Sequence, residues 1–300
     1  MGIRNNSKYK FLVFFASILS IIFVKHFWMK SILLMPKEYK VLKSFVDQIA
    51  AQNSLGSKPI SFSINSGIYT SRLGEEMGLC KVDTCDYLRD LNPYKKYKVI
   101  NGIDIDELMR QSSKSRIIDA YAWNGNVWIS KSTFHNFSKN KDFLGCIIAH
   151  ELSHILFNNH IDDGIYLAKK SQRLSKKRKE LLKYNLNRES EKDADNNSAR
   201  LMINAGYPKD ICLNGLKFIT NKNKWKINTE NSDTHPGYIE RYNSLEKFIS
   251  SFKKINPSKN SKTFNWNWHY NRNINNLTFI PENKKLELKQ NFTNNRFFNF

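Results

Sequence analysis

The chain has 300 residues, 40% of them hydrophobic and 13% aromatic, enough apolar material for a real core in one medium-sized domain with appendages. Its 48 Lys+Arg against 27 Asp+Glu leave a formal charge of +21, which favours anionic partners such as lipid head groups or nucleic acid. The cysteines, Cys80, Cys85, Cys146 and Cys212, are too few for a disulfide scaffold and lack the C-x-x-C spacing of a thiol zinc site.

Residues 1–10 form a short basic tail containing Arg4, Lys8 and Lys10. The uncharged run Phe11–Val24 follows, with Lys25 the only charge before Met29 and His26-Phe27-Trp28 suited to a membrane interface. No small-x-small cleavage site lies behind it, so residues 11–29 are expected to be an uncleaved transmembrane signal anchor. The implied localisation is a single-pass membrane protein with its catalytic domain on the extracytoplasmic side, although Lys30, Lys37, Lys40 and Lys43 behind the span argue against that orientation.

Residues 30–58 read as a linker helix, because Tyr39, Leu42, Val46 and Ile49 recur at helical spacing before Gly56-Ser57-Lys58-Pro59 ends the pattern. A folded domain is expected over 59–250. Ile60–Ile64 alternates like a strand, and Tyr97–Ile105 is a second strand candidate. Cys80 and Cys85 can bridge locally in an oxidising compartment, whereas Cys146, in an apolar helix, reads as a small core residue. In Arg116–Ser130 apolar runs flank Asn124-Gly125, which predicts a β-hairpin. The stretch from Ile155 to Leu186 carries eight Lys/Arg between Lys169 and Lys183 and reads as a solvated helix. Residues 251–300, rich in Asn, Lys and aromatics and without helical period, are expected to be an appended tail.

His150-Glu151-Leu152-Ser153-His154 carries the chemistry. Two imidazoles four residues apart share one face of a helix and can hold one metal ion, with Glu151 beside the position left for water. On a helical wheel Leu144, Ile148, Leu152, Ile155 and Leu156 form the core face, and His150, Glu151 and His154 lie on another arc. The third ligand has two candidates. Glu191 and Asp195 sit four apart on a predicted helix, so Glu191 can bind metal while Asp195 orients a ligand imidazole. His160 matches the spacing of H-E-x-x-H-x-x-G-x-x-H, but Phe157 stands where that pattern has glycine. Glu191 is favoured, since His160 at a helix end has a ready role as a C-terminal cation.

Three segments together, His150–His154, Asn187–Asp195 and Thr234-His235-Pro236 with Arg241 following, make residues 59–250 resemble the zinc metallopeptidases that include HtpX and the CAAX prenyl endopeptidases. The resemblance implies an α+β, zincin-like metallopeptidase domain, mostly helical, with a small β-sheet whose edge strand lies over the site. It further implies one Zn2+ per chain held by His150, His154 and Glu191, with Glu151 as catalytic base. His235 would be a fourth ligand or an oxyanion donor, although Thr-His-Pro-Gly reads equally well as a polar loop into a helix from Tyr238 to Phe248. Asp119-Ala120-Tyr121-Ala122 corresponds to the family's N-A-F-A segment, with Asp119 in place of the usual Asn.

The expected function is a membrane-anchored endopeptidase acting on protein or peptide substrates, laid antiparallel to the strand Asn126–Ser130. Membrane lipids would be partners through the anchor and basic surface, and no specific nucleic acid is expected. A competing expectation is a basic membrane- or nucleic-acid-binding protein with a vestigial metal site, supported by the +21 charge and the aromatic tail.

Overall fold

The computed structural model describes residues 6–30, 35–81, 91–97, 99, 102–157, 159–253 and 265–282. In chain order its elements are α1 (Asn6–Lys30), α2 (Lys37–Gln52), β1 (Ile60–Asn65), α3 (Ile68–Glu76), α4 (Ile105–Ser112), β2 (Ala120–Trp123), β3 (Asn126–Ser130), α5 (Lys131–Asn136), α6 (Lys141–Leu156), α7 (Asn159–Lys170), α8 (Lys176–Asn204), α9 (Ile211–Asn223), α10 (Tyr238–Ser251), β4 (Trp266–Asn271) and β5 (Asn276–Pro281). The α+β class holds.

The strands form one mixed sheet in the order β2-β3-β1-β5-β4. β1 runs parallel to β3, and the other pairs are antiparallel. The hairpin β2–β3 turns at Asn124 (φ 47) and Gly125 (φ 78), the two positive φ values that a tight two-residue turn requires. β3 is paired on both sides, and β2 and β4 are the outer strands of the sheet. An extended peptide cannot pair with Asn126–Ser130 as the sequence suggests, because that strand is already bonded to β1 and β2.

The domain extends beyond both expected boundaries. Tyr39, Leu42, Val46 and Ile49 are fully buried, so the 3.6-residue apolar stripe of α2 is core rather than linker. The Tyr39 hydroxyl donates to the Asn275 carbonyl at 2.5 Å and accepts from the Ile64 amide at 2.9 Å, joining α2 to the sheet. The sheet includes β4 and β5, from the segment expected to be a tail. Trp266 and Trp268 both donate their indole N–H to Asp47 Oδ1 at 2.7 Å, which fastens β4 to α2. In the stretch expected as a second strand, Ile105 instead opens α4 behind Asp104, whose side chain accepts from the Glu107 amide at 3.0 Å.

The transmembrane anchor expected over 11–29 is not supported, and with it falls the single-pass membrane localisation. Among the described residues no helix is long and apolar enough to cross a membrane. The segment is helical, but the uncharged run Phe11–Val24 has fourteen residues. At about 1.5 Å per residue it reaches roughly 21 Å, short of a hydrocarbon core of about 30 Å, and Lys25 follows directly.

Cys146 is more than a small core residue, because it is disulfide-bonded to Cys212 and so staples α6 to α9. Closing a loop with a sequence separation of 66 residues is worth on the order of 4 kcal/mol in the chain-entropy account. Cys80 is also disulfide-bonded, while Cys85 lies outside the described residues.

α6 is the centre of the packing. Leu144, Ile148 and Leu152 face the core with 0–2% of their surface exposed. A Cβ at Gly145 would stand 2.7 Å from Met202 Cε and 2.9 Å from Phe45, so the absence of a side chain there lets α6 approach α8 and α2 closely.

Candidate metal site

Two helices supply the donors. His150 and His154 lie one turn apart on α6, and Glu191 projects from α8, which packs along α6. A buried polar ladder sets the two helices in register. Ser153 Oγ donates to the Ala149 carbonyl at 2.6 Å, Asn197 Nδ2 donates to Ser153 Oγ at 2.9 Å, and Arg200 Nε donates to Asn197 Oδ1 at 2.8 Å. The positions between the ligands carry no sequence signature for this ladder.

The Nε2 atoms of His150 and His154 stand 3.1 Å apart. Glu191 Oε2 lies 3.4 Å from His150 Nε2, and Glu191 Oε1 lies 3.4 Å from His154 Nε2. Ligands of a tetrahedral ion with bonds of about 2.0–2.1 Å stand roughly 3.3–3.4 Å from one another. The three side chains are close enough together to hold a metal ion. Of the two candidate third ligands, Glu191 is brought to the histidines. His160 lies near the start of α7, and its side chain is outside the described residues.

Asp195 does what its spacing predicts. Its Oδ1 lies 3.0 Å from His150 Nδ1, which turns Nε2 toward Glu191. Arg241 holds that carboxylate in a two-pronged contact, Nε donating to Oδ2 at 2.7 Å and Nη2 to Oδ1 at 2.6 Å, with Nη1 3.8 Å from Glu191 Oε2. The guanidinium also stacks over Trp225 at 5.1 Å.

His235 stands beside the donor group rather than in it. Its Nε2 is 3.7 Å from Glu191 Oε1, its Nδ1 lies 2.9 Å from Thr234 Oγ1, and its side chain is 67% exposed. The loop that carries it is built rather than loose. Arg188, three residues before Glu191, donates from Nη1 to the carbonyls of Asp233 at 2.9 Å, Asn231 at 3.3 Å and Glu230 at 3.4 Å. Arg188 escapes sequence reasoning because an arginine in so basic a chain reads as a surface charge.

Burial opposes a charged His150, but the hydrogen bonds and charges of Asp195 and Glu191 outweigh it and push its pKa up to about 10. Burial likewise opposes ionised Glu191, yet its contacts with His150 and His154 hold it well below the usual carboxylate range. Asp195 is depressed despite burial by the Arg241 charge and the hydrogen bond to His150. Glu151 goes the other way: burial lifts its carboxyl, and the nearby histidines only moderate the rise.

These directions give a pH dependence with a defined sign. A His150 pKa raised from 6.5 to about 10 stabilises the metal-free fold fully below 6.5, and that contribution is lost as pH rises through about 10. A metal ion competes with the same proton, so its apparent affinity is expected to increase with pH by about tenfold per unit across neutrality. Calorimetric titration in buffers of different ionisation enthalpy should detect the released proton, and a pH-independent affinity would contradict the protonated resting site.

Above the donors lies a cleft of about 540 Å³, lined by β2, α6, α8, α9 and the loop bearing His235. Asp119 anchors the entrance to β2: its carbonyl accepts from the Ser130 amide at 2.9 Å, and its Oδ2 accepts from the Ile68 amide at 3.0 Å. No protein-family model, curated protein or solved structure matches the chain. The site stands on its own geometry.

Proposed function

We propose that the chain is a zinc-dependent endopeptidase that hydrolyses peptide bonds of extended or unfolded protein segments. The observation that carries this reading is the joining of three features: two imidazoles and a carboxylate at metal-sharing distances, a buried glutamate between the two histidines in sequence, and a cleft that opens above them. Two histidines with one glutamate are the donor set of a catalytic zinc that keeps a position for water.

Bound there, zinc would acidify a water molecule and polarise the scissile carbonyl. Glu151 takes the proton of the attacking water and returns it to the departing amine nitrogen. Its upward shift brings it nearer the pKa that such a two-way transfer needs. Asp195, held by Arg241, keeps His150 in one orientation throughout. His235, exposed at the rim 3.7 Å from Glu191, is in place to donate to the oxygen on which charge develops.

Cleavage of a reduced, unfolded protein should stop on treatment with a chelator and return on addition of zinc. Cleavage indifferent to the chelator would exclude this mechanism.

A further inference from the structure

The loop that carries His235 is closed on itself. The Tyr238 amide donates to the Lys226 carbonyl at 3.0 Å and the Ile239 amide to the Ile227 carbonyl at 3.0 Å, which brings its two ends together. Thr229 Oγ1 accepts from the Gly237 amide at 2.7 Å and donates to Glu240 Oε2 at 2.7 Å. These bonds set the shape of the loop but not its place beside the metal donors. That place comes from α8. Lys192 fastens the α10 end through Glu240 Oε1 at 2.9 Å, and Arg188 fastens the far corner. Arg188 is buried, its Nη1 reaches the carbonyls of Glu230, Asn231 and Asp233, and its Nη2 donates to Asn185 Oδ1. The last of these carbonyls stands two residues before His235. Arg188 also precedes Glu191 by three residues on the same helix, about 4.5 Å along its axis. One rigid element thus holds both a metal donor and the corner of the loop that leads to His235. The His235 side chain is 67% exposed, so packing does little to fix it, and its position 3.7 Å from Glu191 follows from the backbone that carries it.

We infer that Arg188 is a positioning residue for His235: it pins residues 230–233 to α8 so that the imidazole is aimed at the oxygen on which charge develops. The inference rests on the peptidase reading and adds to it the residue that prepares one of its groups. A donor contributes to a transition state to the extent that it is aimed before the charge forms. A misplacement of about 1 Å can cost about 100-fold in rate, so an unpinned loop would waste most of what the imidazole supplies. The chemistry at the corner calls for a cation with several donors. Backbone carbonyls only accept, and charge-assisted hydrogen bonds are roughly twice as strong as neutral ones.

A double-substitution cycle tests this. His235→Ala should lower kcat for an unfolded protein by about 10²-fold, as loss of an oxyanion donor does. Arg188→Ala should lower it by about ten- to a hundredfold, with KM little changed and one zinc ion retained. The double variant should match His235→Ala, because once the imidazole is gone its placement no longer matters. Arg188→Lys, whose single nitrogen cannot serve both the loop and Asn185, should recover part of the loss. Independently of turnover, the His235 ring-proton resonances of the zinc-loaded protein, assigned by their absence in His235→Ala, should shift or broaden in Arg188→Ala. If Arg188→Ala does not fold, Arg188→Gln carries the same cycle and spectra. Losses that multiply in the double variant, or His235 resonances that stay in place when Arg188 is replaced, would overturn the positioning role. A folded, zinc-loaded parent that cleaves nothing would instead overturn the peptidase reading, and the resonances alone would then decide whether Arg188 places His235.

Discussion

Glu151→Gln is expected to retain zinc while lowering kcat for cleavage of an unfolded protein by about 10²–10⁴-fold, the usual range for loss of a positioned general base. The amide keeps the volume and much of the hydrogen bonding of the carboxylate but cannot accept the proton. Glu151 lines the cleft with 6% of its surface exposed, so an isosteric change should leave stability nearly untouched. KM should change little, because Glu151 acts in the transition state rather than in peptide binding. Steady-state kinetics with metal content measured on the same samples checks each part. Unaltered kcat would remove Glu151 from the mechanism.

Arg241→Ala is expected to be the most damaging change to the fold near the site. Arg241 and Asp195 are both buried and joined by two charge-assisted hydrogen bonds. Removing the guanidinium leaves a buried carboxylate with His150 as its remaining partner, which costs up to about 3–5 kcal/mol. For a domain of this size that corresponds to a fall in Tm of roughly 6–20 °C. Asp195 would also lose the clamp that presents it to His150, and zinc affinity should drop by about 10–100-fold. Arg241→Lys should recover charge but not the fork, giving an intermediate loss. A melting curve superimposable on the parent's would show that the pair contributes nothing to the fold.

The helix α6 and the candidate metal ligands were legible because their constraint is local. One helical turn places His150 over His154, and the same spacing pairs Glu191 with Asp195, so periodicity alone predicts which side chains converge. The hairpin was legible for a similar reason: Asn124-Gly125 has the backbone preferences of one turn type. Features that depend on partners far along the chain were not. Nothing local to Cys146 or Cys212 shows that they meet, and Arg188 acquires its role only when the loop at 230–233 folds over it. The C-terminal hairpin did carry a signal. Trp266, Trp268 and Tyr270 alternate with polar residues at period two, the pattern of a half-buried strand, but asparagine-rich surroundings masked it. The N-terminal run failed in the opposite sense, since apolar character was weighed more heavily than length, and fourteen uncharged residues do not reach across a bilayer.

The central claim is the identity of the metal donors, and metal stoichiometry of the purified chain tests it most directly. The parent and His160→Ala should each bind one zinc ion per chain, and Glu191→Ala should lose it. A parent without zinc would refute the metal site, and loss in His160→Ala with retention in Glu191→Ala would replace the two-histidine, one-glutamate set with a three-histidine one.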